Sequence, residues 1–305
     1  MNFRDWFELM KQAAYKDARF VDTPRGSVHY TDIGEGPVVL HSHGSPAGAD
    51  TGPLFFCDLT REGYRLLTPS RPGFLGTELS LGSSIEAQAD FFKSFLDALN
   101  IGQVVLHAWS GGGPPAIAFA IKYPEVVRGL ILYCAVSHRW DHRITLFERM
   151  LLSDRAIWLL WNLSKLFPEA FRKKSAQELG VDYDYVKQAP ERLALLDKFF
   201  EMTAPPSLRN SGSFNDIEVY SAMDPFDFSR VRMPTLVLFS PSDNQLPISH
   251  GDLPAAQIEG AEYLRFAHGG HMPMIDRDAA LVWDRMLDFM RALRGDGNEL
   301  VTRRV

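Results

Sequence analysis

The chain has 305 residues, of which 46% are apolar and 23% charged, an ordinary composition for a globular protein. That length can bury a substantial core, as one large α/β domain or as a domain with an inserted lid. The net charge of −6, with no run of lysines or arginines, argues against a nucleic-acid partner, and two distant cysteines, Cys57 and Cys134, demand no oxidising compartment, so a cytoplasmic location is expected.

The first residues do not read as a secretion signal, because Arg4, Asp5, Glu8 and Lys11 interrupt them and no apolar core follows. Phe3, Trp6, Phe7 and Met10 fall at helical spacing. They predict a helix whose apolar face packs on the body or over a site entrance, with contact to a membrane surface as the alternative. No uninterrupted apolar run approaches membrane-spanning length. Phe20–Tyr30 reads as a hairpin turning at Pro24-Arg25-Gly26, and Pro37–His41 and Tyr64–Leu67 read as strands. Ser83 and Glu86 have capping-box spacing and open a helix. Its apolar face is Phe92, Phe95, Leu96 and Leu99, and it closes at Asn100-Ile101-Gly102. Val104–His107 follows as a strand, Ala116–Lys122 as a helix and Gly129–Cys134 as a strand. These strands are apolar without alternation, as a parallel sheet with helices on both faces requires. The helix–strand alternation from about residue 60 to 137 predicts a doubly wound sheet.

The alternation then stops. Residues 138–228 contain no run that reads as a buried strand, and Ile144–Phe167 is apolar on more than one face. Strand signals resume at Thr235–Phe239 and Glu262–Phe266, an amphipathic helix covers Arg277–Leu293, and a polar tail, Gly295–Val305, ends the chain. The expected organisation is a core of residues 1–137 and 229–305 with a helical cap at 138–228. A helical insertion between parallel strands reads as a lid over the sheet's carboxyl edge, where ligands bind in open α/β folds.

One stretch carries chemistry. Val104–His107 runs through Ala108-Trp109-Ser110-Gly111-Gly112-Gly113 into Pro114-Pro115, a strand, a corner serine among small residues and a helix start. A tight strand-to-helix turn pushes the serine hydroxyl out of the sheet and points free N–H groups of the helix start at the same spot. The prolines suit a first helical turn, whose N–H groups have no helical partner. A phosphate loop would want Lys-Ser or Lys-Thr after the glycines, and Pro-Pro stands there. A serine nucleophile needs a general base and a group to orient that base. His268 and His271 both lie in Ala267-His268-Gly269-Gly270-His271-Met272-Pro273, directly after the last strand, and either could be the base. Asp243 follows the strand Thr235–Phe239. A lone loop aspartate is ordinarily a turn residue or a helix cap.

At these residues the chain resembles the α/β-hydrolase superfamily, and the resemblance runs from the hairpin to the final helix. It implies a mostly parallel, doubly wound sheet with an inserted helical cap. It implies His271 as the base, because Gly270-His271-Met272-Pro273 matches the family's Gly-His setting and His268 does not. It implies Asp243 as the orienting acid, since the family's acid is commonly followed by two residues, an aliphatic and a proline, and Ser…Asp…His is a family order. Ala108 stands where the usual spelling, Gly-x-Ser-x-Gly, has glycine. Leu40-His41-Ser42-His43-Gly44-Ser45-Pro46 resembles the family's His-Gly-x-Pro loop, which implies an oxyanion hole made by the backbone N–H groups of Ser45 and Gly111. Arg71-Pro72-Gly73 resembles a loop after the fourth strand, with Ser70 where an aspartate is common; the change bears on loop bracing rather than chemistry.

Serine rather than aspartate at position 110 disfavours the epoxide-hydrolase and haloalkane-dehalogenase types, which need a carboxylate nucleophile. The expected activity is cofactor-free hydrolysis of small-molecule carboxylic esters through an acyl-enzyme, on a substrate with an apolar portion. A lactonase or carbon–carbon bond hydrolase with the same triad is the alternative, and a non-catalytic binding or receptor role a more distant one. His41-x-His43 and the His138/His142 pair could suggest a metal, but no further ligand cluster with metal spacing accompanies them. The sequence sets no oligomeric state.

Overall fold

The computed structural model describes residues 1–141 and 143–294; the tail Gly295–Val305 and His142 of the His138/His142 pair lie outside the described residues. The strands are β1 (Arg19–Thr23), β2 (Gly26–Ile33), β3 (Val38–Ser42), β4 (Arg65–Pro69), β5 (Val104–Trp109), β6 (Val127–Tyr133), β7 (Thr235–Phe239) and β8 (Glu262–Arg265). They form one sheet in the order β1-β2-β4-β3-β5-β6-β7-β8. β2 runs antiparallel to β1 and β4, and the remaining pairings are parallel. The helices before β6 are α1 (Phe3–Ala14), α2 (Thr51–Phe55), α3 (Asp58–Arg61), α4 (Ile85–Ala98) and α5 (Gly113–Lys122). Between β6 and β7 come α6 (Leu146–Leu151), α7 (Asp154–Leu166), α8 (Pro168–Leu179), α9 (Tyr183–Val186), α10 (Pro190–Glu201) and α11 (Asn210–Ala222), with no strand among the described residues. α12 (Ser249–Gln257) and α13 (Ala279–Arg294) complete the α-helices of the described residues.

The unbroken apolar strands have the reason anticipated from their pattern. Leu106, Leu130, Leu132 and Val237 pack on one side of the sheet with Phe92 and Phe95 of α4 and Ile117 and Phe119 of α5. Val105, Ile131, Leu236 and Leu238 pack on the other with Phe56, Leu59, and Val282 and Met286 of α13. Successive strand residues point to opposite faces, so every residue of β5 is buried. Two local expectations need correction. The residue that caps α4 is Ser84, whose hydroxyl accepts from Ala87 N at 3.1 Å. Ser83 instead gives its carbonyl to the Asn215 side chain of α11, a tertiary contact that a local capping rule cannot see. Cys134 falls outside β6, because its backbone turns to φ +44°.

The apolar face of α1 is occupied. Trp6 and Met10 are buried in a cluster with Ile157 and Trp161 of α7 and with Ala204, so the amphipathic helix packs on the helical segment between β6 and β7. No helix among the described residues is long and apolar enough to cross a membrane. Truncating a buried aromatic of this size typically costs about 3–5 kcal/mol. Trp6→Ala is therefore expected to lower the unfolding free energy in urea by about that much, whereas a loosely attached α1 would give a loss under about 1 kcal/mol.

Candidate active site

β5 delivers Ser110 to the carboxyl edge of the sheet. Ser110 has φ +54° and begins a 3-10 turn, Ser110–Gly112, that leads into α5 with Pro114 and Pro115 in its first turn. For a residue with a side chain this left-handed backbone costs about 1–3 kcal/mol and survives only where the surroundings enforce it. They do so with two hydrogen bonds: Ser110 N donates to Cys134 O at 3.1 Å, and Val136 N donates to Ser110 O at 2.9 Å. Space does the rest. A Cβ on Gly112 would lie 2.0 Å from Ser42 O, and one on Gly113 would lie 1.9 Å from Val136 O. Backbones thus meet where side chains cannot fit, and the hydroxyl-bearing residue projects from that junction.

The loop after β7 holds Asp243. Its Oδ1 accepts from Gln245 N at 2.7 Å and Leu246 N at 3.0 Å, and its Oδ2 accepts from His271 Nδ1 at 2.8 Å. Both side chains are buried. In the neutral ring, a donating Nδ1 leaves the lone pair on His271 Nε2. The His271 ring stacks on Trp109, whose indole N–H donates to His271 O at 3.3 Å. These two loops also close the end of α8. Asn244 Nδ2 donates to Gln177 O, Gln245 Nε2 to Glu178 O and His271 N to Leu179 O, satisfying carbonyls that the helix terminus leaves without intrahelical partners.

Ser110, His271, Ser45 and Gly111 line one cavity of about 140 Å³, and Asp243 stands behind His271. The structure makes no hydrogen bond between Ser110 Oγ and His271 Nε2; the two side chains face the same space. Such contacts often tighten only when substrate binds. His268 is exposed and does not line the cavity, and its backbone N–H is held by Asp278. Ser45 N lies 3.3 Å from the position a Cβ on Gly111 would take, so the two residues expected to donate to an oxyanion are side by side. The cavity's apolar lining includes Trp109, Val136, Trp140, Phe199, Met202 and Leu246, and Thr203, Tyr220 and Gln245 also border it. Met202 also borders a larger cavity of about 300 Å³ beneath α1.

The histidines of the predicted oxyanion loop serve the interior. His41 and His107 share an Nδ1–Nδ1 hydrogen bond of 2.8 Å, and His43 Nε2 accepts from Arg71 N at 2.8 Å. Ser70 braces the loop, accepting from Ala49 N and bonding His29 Nδ1. His138 stacks on His250. Among the described residues no group of three or more histidine, cysteine, aspartate or glutamate side chains is placed to hold a metal ion.

Sequence reasoning missed the charges beneath the site. Arg71 is fully buried and pairs with Asp216 of α11 at 2.6 Å. Burial alone would push the Arg71 guanidinium down, but the neighbouring Asp216 and Tyr220 oxygens outweigh it and hold it above its ordinary range. Arg71 itself stood in a recognisable motif. Its partner lies 145 residues away on a helix with no motif of its own, so spacing held no signal for the pair.

The alpha/beta hydrolase fold family's sequence model matches residues 37–278. The Uncharacterized hydrolase YcgS of Bacillus subtilis is 28% identical over 275 residues, covering 88% of this chain and 96% of that one. Haloalkane dehalogenase 2 of Mycobacterium tuberculosis is 31% identical over 121 residues, covering 38% of this chain and 41% of that one. Among solved structures, an alpha/beta hydrolase fold protein from Nakamurella multipartita superposes with a TM-score of 0.80 at 28% identity, covering 90% of this chain and 99% of that one.

The buried histidines make stability depend on pH. Burial pushes His29 down to about 4 and His107 and His250 to about 3. They are neutral in the folded protein, whereas the unfolded chain takes up protons below about pH 6.5. Stability is therefore complete above that value and is lost as pH falls, by up to about 2 kcal/mol per histidine at pH 5. Denaturant titrations at pH 7 and pH 5 measure this; an unchanged unfolding free energy would mean that these rings protonate within the fold.

Proposed function

This chain belongs to the alpha/beta hydrolase fold family, and we propose on that premise that it is a serine hydrolase of carboxylic esters. Ser110 is the nucleophile, His271 the general base and Asp243 the group that orients it; the N–H groups of Ser45 and Gly111 form the oxyanion hole. The observation that carries this reading is the juxtaposition of a strained, projecting Ser110 with a His271 already bound to a buried carboxylate, both on one cavity. Among the described residues, those of 138–228 act as the cap of that cavity, on a core of residues 1–137 and 229–294.

The chemistry follows from the geometry. Ser110 Oγ adds to the ester carbonyl carbon while His271 Nε2 takes the hydroxyl proton, and the carbonyl oxygen becomes an oxyanion facing Ser45 N and Gly111 N. Asp243 keeps Nδ1 as the donor and stabilises the imidazolium. Collapse of the tetrahedral adduct expels the alcohol, which receives the proton from Nε2 and leaves an acyl-serine. Water repeats the cycle on that acyl group and releases the acid. The cavity walls Trp109, Val136, Phe199, Met202 and Leu246 favour a compact apolar acyl or alcohol portion. The local likeness to a haloalkane dehalogenase does not extend to its chemistry here, because an alkyl-enzyme ester requires a carboxylate where Ser110 stands. Two unpaired cysteines, exposed Cys57 and buried Cys134, fit a reducing, cytoplasmic setting.

Hydrolysis of p-nitrophenyl esters of graded acyl length tests the assignment. Ser110→Ala and His271→Ala are expected to abolish turnover, while His268→Ala retains most of it. Asp243→Asn should lower kcat by up to about 10⁴, as in the chymotrypsin case. Failure of the wild type to turn over any activated ester would overturn the reading; activity that survives His271→Ala would overturn the choice of base.

A further inference from the structure

We propose that Arg71, Asp216 and Tyr220 are positioning residues that clamp the oxyanion hole and make its assembly conditional on the seating of α11. The inference rests on the reading of Ser45 and Gly111 as the hole. Each of those residues is gripped by a polar group other than its N–H. The Ser45 hydroxyl donates to Asp216 Oδ2 and accepts from Arg71 Nη2 at 3.0 Å. The Gly111 carbonyl accepts from the Tyr220 hydroxyl at 2.6 Å. Arg71 joins the two grips: its Nη1 donates to Asp216 Oδ1 at 3.0 Å, to Tyr220 Oη at 3.2 Å and to Gln88 Oε1 at 3.1 Å. Its Nε donates to His43 O at 2.9 Å, one residue before Gly44. One guanidinium thus references the loop after β3, the turn after β5 and α11 to a common point, through bonds that use neither the Ser45 N–H nor the Gly111 N–H.

A buried ion pair is a poor device for stability alone, since apolar residues of like volume often serve as well or better. What apolar residues could not do is hold a hydroxyl and a carbonyl at fixed distances. Burial also pushes the Tyr220 phenol well above its ordinary range, so it stays a donor wherever the protein is folded. Asp216 and Tyr220 are one helical turn apart on α11, within the segment between β6 and β7, while Ser45 and Gly111 belong to sheet loops. Withdrawing α11 would remove the Asp216 and Tyr220 contacts together, leaving Gly111 O without its donor and Ser45 with an Arg71 that has lost its counter-charge.

The test compares wild type with Tyr220→Phe and with Asp216→Asn, which keeps the side chain's shape and gives up its charge. Three quantities are read: kcat and KM on a p-nitrophenyl ester, affinity for a trifluoromethyl ketone, and the thermal midpoint. The ketone adds to Ser110 and places an oxyanion in the hole. Displacing reacting groups by about 1 Å can cost about 10²-fold. Tyr220→Phe is therefore expected to lower kcat by about 10- to 100-fold with KM nearly unchanged, and to weaken the ketone by the same factor. A merely structural role would lower the thermal midpoint and leave the ketone affinity and kcat of the folded protein intact. That result in Tyr220→Phe overturns the clamp, whether or not Asp216→Asn folds. If the wild type gives neither Ser110-dependent turnover nor a ketone adduct, the hydrolase reading fails and the clamp falls with it; an adduct in the wild type that the variants match overturns the clamp alone.

Discussion

Everything at the candidate site depends on a place where three backbones approach too closely for a Cβ. The ends of β3, β5 and β6 converge there, with Gly112 against the carbonyl of Ser42 and Gly113 against that of Val136. The contact forces the chain to turn at once from strand to helix, and the residue at the corner takes a left-handed backbone. Ser110 therefore cannot relax into the sheet without lengthening the turn. Its neighbours on the loop after β3 are set by the same closeness, because a Cβ on Gly44 would meet Ser110 Cβ at 2.8 Å. Nucleophile and hole candidates are consequences of one steric condition rather than separate placements.

The second layer of constraint is electrostatic. Strained backbone and buried polar groups persist only when something over-determines them. Here buried histidines are held neutral by their surroundings, and a guanidinium with no access to water is matched by a carboxylate and a phenol. The cost of desolvating Arg71 and Asp216 is recovered only while α11 stays in place. The helical segment is thus tied to the sheet by partners that have no good alternative.

The sheet and the corner at Ser110 were legible because each is encoded locally, whereas Asp243 and His271, which the structure brings together, were picked out of their loops by the family resemblance. Glycines and prolines at a strand end announce Ser110, and Asp243 and His271 each follow their own strand within a few residues. What stayed illegible depends on contacts between distant segments. Ser83 and Ser84 obey nearly the same capping rule, and a side chain on α11 decides between them. Amphipathic spacing says that α1 buries Trp6, not that α7 receives it. Cys134 is as apolar as the strand before it, yet its carbonyl is needed by Ser110 N, and its backbone turns away from extended geometry to supply it.

The end of α8 has a consequence for how such proteins can be recombined. Its last carbonyls accept from Asn244, Gln245 and the His271 backbone, so the helix and the loops that carry Asp243 and His271 share one set of hydrogen bonds. A chimera that exchanged only the helical segment with that of a relative would break these bonds unless the incoming helix end matched the loops. It would also let go of the loops that hold Asp243 and His271 together. The helical segment and the loops after β7 and β8 are therefore matched parts, to be exchanged together rather than one at a time.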